Sequence, residues 1–156
     1  MKSIEVYEAV KPYFRQRIED VSKEDIKKVL EISYNAEMPK LFAAPYFGEE
    51  EVVSYDTDEL VAKCPWTTLL DYYRVTITYI PNEFVCELKS LKFYYLAYAD
   101  LPITHELLLS KIYHEFQEQI KPKQLKVVLE VAVRGGIETV VERGEVKRED
   151  LYIHKK

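Results

Sequence analysis

Cysteine occurs only twice, tryptophan once and glycine four times in this chain of 156 residues. Two thiols make no disulfide framework, which points to a reducing, cytoplasmic setting. None of the glycines falls in a GxGxxG pattern, so a dinucleotide would have to bind without a Rossmann unit. No apolar run approaches the ~20 residues that span a bilayer, and no membrane contact is expected. The opening MKSIEVYEAVKPYFRQRIED is charged throughout, unlike a secretory leader. CxxC, HExxH and other sets at metal-ligand spacing are absent, so no metal site is expected. Net charge is −5, so the average field repels nucleic acid and argues against stable binding to it. What is abundant is tyrosine, with 13 copies. Its apolar body and polar tip suit subunit interfaces or a pocket for a flat ring, although packing of the sheet and its helices accounts for most copies.

Residues 1 to about 32 read as one or two short helices, with Ser22 as an N-cap and Ile26, Val29 and Leu30 at helical spacing. YNAEMPKLFAAPYFGEEE reads as an irregular connection. DYYRVTITYIP alternates and is rich in β-branched and aromatic residues, predicting a strand at 71–79. NE then turns the chain into FVCEL, expected to pair with it as a hairpin. KSLKFYYLAYA reads as a helix. Thr104 can cap a second helix, HELLLSKIYHEFQEQI, whose Leu108, Ile112, Phe116 and Ile120 form one buried stripe. LKVVLEVAV and IETVVE read as strands joined by the turn RGG. The order strand–strand–helix–helix–strand–strand predicts an α+β fold, with a four-stranded antiparallel sheet carrying two helices on one face. Its open edges predict a homo-oligomer whose sheets join into a barrel. The expected organisation is an extension over 1–57, a catalytic domain over 58–145 and a polar tail over 146–156.

Three stretches can carry chemistry. In CPWTTLLD, Cys64 stands where a loop meets a strand, and Asp71 begins that strand. A lone cysteine is most often a small buried hydrophobe. A thiolate attacks far better than a thiol, however, and Asp71 could take the thiol proton and pass it to the atom that becomes basic after attack. In THEL, His105 and Glu106 occupy a first helical turn, where acids are favoured in any case. A neutral imidazole can donate there, and a carboxylate can accept from a guanine-like N–H pair. In ELKSLKFY, Lys89 and Lys92 are either a solvated face or, with the N–H groups of the helix start, a phosphate site. Arg134, in RGG, is either a surface cation or part of a site.

Taken together, CPWTTLLD, YIPNEFVCELKSLKFY, THE and VRGGI resemble the 7-cyano-7-deazaguanine reductases, nitrile reductases of queuosine biosynthesis with the tunnelling fold (T-fold). The resemblance covers about 58–144. It implies that Cys64 attacks the nitrile carbon to form a thioimide, that Asp71 supplies the proton and that His105 assists. Cys86, Glu87, Leu88, His105 and Glu106 would bind the small-molecule 7-deazapurine nitrile. Leu88, Lys89, Ser90, Lys92, Arg134 and Gly135 would bind NADPH, and active sites would lie between subunits. The product would be 7-aminomethyl-7-deazaguanine. The sequence ends the cysteine segment TTLLD where typical reductases have a TGQPD-like turn, and it lacks the second cysteine that some members carry after HE. Two rivals share the fold: an archaeosine-forming amidinotransferase acting on the nitrile base in tRNA, and a non-catalytic oligomeric binding protein. The lysine motif and the acidic balance favour the reductase.

Overall fold

In the computed structural model, residues 1–13, 20 and 22–147 are described. The four-stranded sheet has the order β2-β3-β5-β6, every neighbour antiparallel. Its strands are β2 (Val53–Lys63), β3 (Leu70–Ile80), β5 (Gln124–Arg134) and β6 (Ile137–Glu145). Between the two hairpins lie α3 (Leu88–Leu96), a 3-10 turn (Ala97–Asp100) and α4 (His105–Ile120). The α+β expectation and its ββααββ order therefore hold. Before the sheet come α1 (Ser3–Val10), α2 (Lys23–Tyr34) and β1 (Ala43–Pro45).

One strand was misread in the sequence. The partner of β3 is not FVCEL but residues 53–63, which pair with it from Val53↔Tyr79 to Lys63↔Leu70. The acids of YDTDEL disguise β2: Asp56 and Asp58 project outward, and a register shift between Thr57 and Leu60 breaks the alternation. β2 also runs through the expected boundary at 57/58. The segment β4 (Phe84–Cys86) leaves the sheet to pair with β1. Tyrosine hydroxyls hold it there. Tyr79 Oη accepts from Cys86 N–H at 3.0 Å, while Tyr55 donates to the Cys86 carbonyl at 2.8 Å.

The core lies between one face of the sheet and the helices. Tyr73, Val75, Ile77 and Tyr79 alternate inward from β3, meeting Val127 and Leu129 of β5. The expected α4 stripe, Leu108, Ile112, Phe116 and Ile120, is at most 1% exposed. Each such side chain contributes about 1.5–3 kcal/mol of burial. Thr104 caps α4 by accepting from Leu107 N–H, and Lys121 ends it in the left-handed conformation (φ 53°). Ser22 caps α2 as expected, accepting from Asp25 N–H.

A buried polar chain fastens α2 to this core. Lys111 is 4% exposed and donates to the carbonyls of Tyr34 (2.7 Å) and Ala36 (2.8 Å) while pairing with Glu115 at 3.0 Å. Glu115 in turn accepts from Tyr98, whose hydroxyl meets that of Tyr94. The C-terminal end of α2 is thus part of the folded body. Packing and buried hydrogen bonds account for these tyrosines, as their abundance suggested.

Candidate active site

The loop joining β2 to β3 is closed by its own backbone: Cys64 N–H donates to Leu69 C=O at 2.8 Å, and Thr68 N–H donates to Cys64 C=O at 2.9 Å. Closing it requires a left-handed residue, and Thr68 takes that role with φ 63°. Thr68 stands at the glycine position of a TGQPD-like turn. Threonine holds the left-handed conformation here at a steric cost of about 1–2 kcal/mol. Cys64 is left partly exposed at the loop's start.

Asp71 begins the inward-facing row of β3, so its carboxylate points to the core side and is only 4% exposed. Burial raises its pKa above the usual aspartate value, opposed by the charges of Arg134 and His105. Arg134 Nη2 lies 3.2 Å from Asp71 Oδ1 and also donates to the Leu70 carbonyl. Sequence reasoning left Arg134 as a surface cation or a cofactor ligand. In this chain it reaches back across the sheet to the acid.

The start of α4 is brought to the same end by a short parallel bridge. Lys63 N–H donates to Leu101 C=O and Ile103 N–H donates to Lys63 C=O, both at 3.0 Å. The residue before Cys64 thus carries the segment leading to Thr104, His105 and Glu106. Lys63's ammonium pairs with Asp100 at 3.4 Å and lies over the Tyr7 ring, so α1 buttresses the same spot. Glu106 is exposed with no hydrogen-bond partner among the described residues. His105 Nδ1 lies 2.7 Å from the Tyr73 hydroxyl. Tyr73 is 2% exposed, and its pKa is raised by burial and then by the charges of Asp71, Cys64 and Glu106. Of the sequence-predicted residues, His105 hydrogen-bonds and Cys64, Asp71 and Glu106 act by charge on one tyrosine that sequence reasoning passed over. The available signal was its spacing: Tyr73 lies two residues beyond Asp71, on the same face of a strand.

The second group of predicted residues sits elsewhere. From Asp71 to Tyr79, the anchor of Cys86, β3 covers roughly 27 Å. Glu87 caps α3: its two oxygens accept from Lys89 N–H (2.8 Å) and Ser90 N–H (2.7 Å), which hold its pKa below the usual range. These N–H groups are therefore not open to a phosphate, contrary to the sequence expectation. The Ser90 hydroxyl donates to Glu87 C=O and accepts from Phe42 N–H. Lys92 pairs with Glu59, Leu88 is 61% exposed, and Lys89 is exposed. The resemblance places Cys86 among the substrate contacts. It is 3% exposed, its thiol is pushed up to about 12 by burial, and its N–H and C=O are taken by Tyr79 and Tyr55. Gly135 and Gly136 form the β5–β6 turn at φ 56° and 77°. No cluster of metal-ligating side chains occurs among the described residues.

Fold and site define a tunnelling-fold protein with a thiol, a buried carboxyl and an imidazole gathered at one end of its sheet. The model for the family described as QueF-like protein matches residues 70–150, beginning just after Cys64. Three relatives are named NADPH-dependent 7-cyano-7-deazaguanine reductase. The one from Caldicellulosiruptor bescii is 41% identical, over 65% of this chain and 79% of its own length. That from Chloroherpeton thalassium is 36% identical, over 67% of this chain and 90% of its own. The Thermoanaerobacter pseudethanolicus protein is 34% identical, over 81% of this chain and 90% of its own. The crystal structure of the archaeosine synthase QueF-Like in the apo form superposes with a TM-score of 0.58 at 23% identity, covering 62% of this chain and 95% of that one. The last likeness concerns the fold alone. The chain belongs to the QueF-like family.

Proposed function

We propose that the protein reduces the nitrile of 7-cyano-7-deazaguanine to the aminomethyl group, using NADPH, in queuosine biosynthesis. The observation that carries this reading is the buried Asp71 at the same sheet end as a partly exposed Cys64, with His105 and Glu106 at the adjoining helix start. In the first step the Cys64 sulfur bonds to the nitrile carbon as one π bond of the C≡N opens. Asp71 takes the thiol proton and delivers it to the nitrile nitrogen, leaving a thioimide. Burial raises the pKa of Asp71, which makes its carboxylate a stronger base toward the thiol proton. His105 stands ready to supply protons or hydrogen bonds afterwards, and the exposed Glu106 carboxylate can accept from the pyrimidinone edge.

Lys89 and Lys92, with Arg134 from the thiol end of a second copy, are the cations that would meet the cofactor's phosphates, and Leu88 offers an exposed apolar face beside the lysines. Lysine side chains, rather than the capped N–H groups of α3, fit that role. When bound, NADPH supplies hydride, two equivalents for the four electrons between nitrile and amine.

Glu87 lies toward the far end of β3 from Cys64, and Lys92 reaches only to Glu59 near the middle of β2, so one chain does not bring the two groups together. A second copy supplying its Glu87 end to this chain's Cys64 end would complete the site. The outermost strands β2 and β6 are available for that assembly, and Leu69, Leu70, Tyr72, Val133 and Ile137 are exposed near the thiol end.

Purified protein mixed with 7-cyano-7-deazaguanine should gain one adduct by intact mass, absent in Cys64→Ala. It should oxidise about two NADPH per nitrile consumed. An adduct without NADPH oxidation, but with ammonia-dependent modification of nitrile-bearing tRNA, would assign the chain to amidinotransfer instead. Absence of any adduct would leave a binding protein.

A further inference from the structure

We propose that Tyr73 is a positioning residue that fixes His105 as the Nε2–H tautomer, so that the imidazole presents a donor to the reaction space. The juxtaposition is a 2.7 Å contact between a hydroxyl on β3 and Nδ1 at the first residue of α4. A phenol and a neutral imidazole can share such a contact in two ways. If Nδ1–H donated to the oxygen, the phenolic proton would need a second acceptor. Tyr73 is 2% exposed, and its hydroxyl has no other hydrogen-bond partner among the described residues. A buried hydroxyl proton without an acceptor is costly. The arrangement that satisfies every group has Tyr73 O–H donating to Nδ1, which leaves the ring's single proton on Nε2.

The surroundings reinforce that assignment. Burial first, and then the charges of Asp71 on β3, Cys64 in the loop and Glu106 on α4, disfavour a phenolate, with Arg134 on β5 opposing them less strongly. The phenol therefore keeps its proton and stays a donor. The rings meet edge to face, with centroids 5.5 Å apart, so packing and the hydrogen bond fix the same orientation. Rotation of the imidazole would sacrifice both.

The consequence for chemistry rests on the reductase reading above; the tautomer itself does not. A reaction that takes a nitrile to an amine leaves nitrogen needing donors after each hydride. With Nδ1 occupied from behind by Tyr73, Nε2–H is the atom His105 can offer in front. Tyr73 touches the histidine and not the reacting atoms, so it acts through His105.

The test uses the full chain labelled with 15N-histidine, without ligands, at about pH 8, where an ordinary histidine is neutral. His105 is assigned by comparison with His105→Asn. The expected spectrum shows Nδ1 as the unprotonated nitrogen and Nε2 as the protonated one. Tyr73→Phe keeps the ring and removes the donor. It should mix the two tautomers and lower kcat for NADPH oxidation about tenfold, with KM for NADPH within twofold. A wild-type spectrum with the proton on Nδ1 overturns the proposal. So does a Tyr73→Phe protein whose histidine spectrum and kcat match wild type. Should Tyr73→Phe fail to fold, the wild-type spectrum still decides. The spectrum also decides in a protein that oxidises no NADPH, which separates failure of this role from failure of the proposed reaction.

Discussion

Replacing Arg134 with glutamine tests how this protein controls the proton of Asp71. The guanidinium sits 3.2 Å from a carboxylate oxygen and favours its ionised form. Two unit charges at that distance attract by about 5 kcal/mol at an effective dielectric of 20 and about 1.3 kcal/mol in water. Arg134's side chain is 49% exposed, which places the pair near the weaker end. A loss of about 1.4 kcal/mol corresponds to a tenfold change in proton affinity. The sign follows from the charge: removing a cation makes the carboxyl keep its proton to higher pH. Under the proposed first step the competent pair carries one proton, on sulfur, with Asp71 ionised. The acid limb of the pH–rate profile should therefore move to higher pH in Arg134→Gln. On that limb adduct formation should be about tenfold slower than wild type, and the plateau above it unchanged. The assay is the rate of Cys64 adduct formation by intact mass, with no NADPH present, so any part Arg134 plays toward the cofactor does not enter. Arg134→Lys should restore much of the limb's position. An acid limb that stays in place, or moves to lower pH, would refute the assignment of this ion pair as the control on Asp71.

Two further predictions concern stability. Lys111→Met leaves the carbonyls of Tyr34 and Ala36 and the Glu115 carboxylate without their shared donor, and should cost about 3 kcal/mol in urea denaturation. Thr68→Gly relieves a left-handed threonine and should stabilise the fold by about 0.5–1 kcal/mol, the steric relief exceeding glycine's added entropy in the unfolded chain; denaturation midpoints would show it, and a net loss would mean the loop is not held by that turn.

The readable parts of the sequence were those where local chemistry and tertiary packing agree. In α4, the Thr104 cap, the four-residue stripe and the stop near Pro122 all point the same way, and the helix lies where that pattern placed it. β3 was equally plain. β2 was hidden because an edge strand with acids on its outer face looks like a loop until its partner is known. FVCEL was given the wrong partner because the hydroxyls that turn it aside carry no sequence signal: Tyr79 lies on the strand it was expected to pair with, and Tyr55 is far from it in sequence. At the site, motif residues could be named without their neighbours. Cys64, Asp71, His105 and Glu106 were singled out, but what Arg134 and Tyr73 touch follows only from the register of β3 with β5 and from the bridge that carries α4's start to Lys63. The capping role of Glu87 was missed because its motif invited a ligand for a carboxylate that the backbone already satisfies. The last of the three histidines, His154, and the expected polar tail from residue 148 onward lie outside the described residues.

The thiol and the helix-capping glutamate stand at opposite ends of β3. In a ring of such chains, each reaction chamber would be walled by pieces of two molecules. A copy crippled at its sulfur would still lend an intact glutamate wall to its neighbour, so a mixture of two separately disabled versions could regain working chambers that neither forms alone.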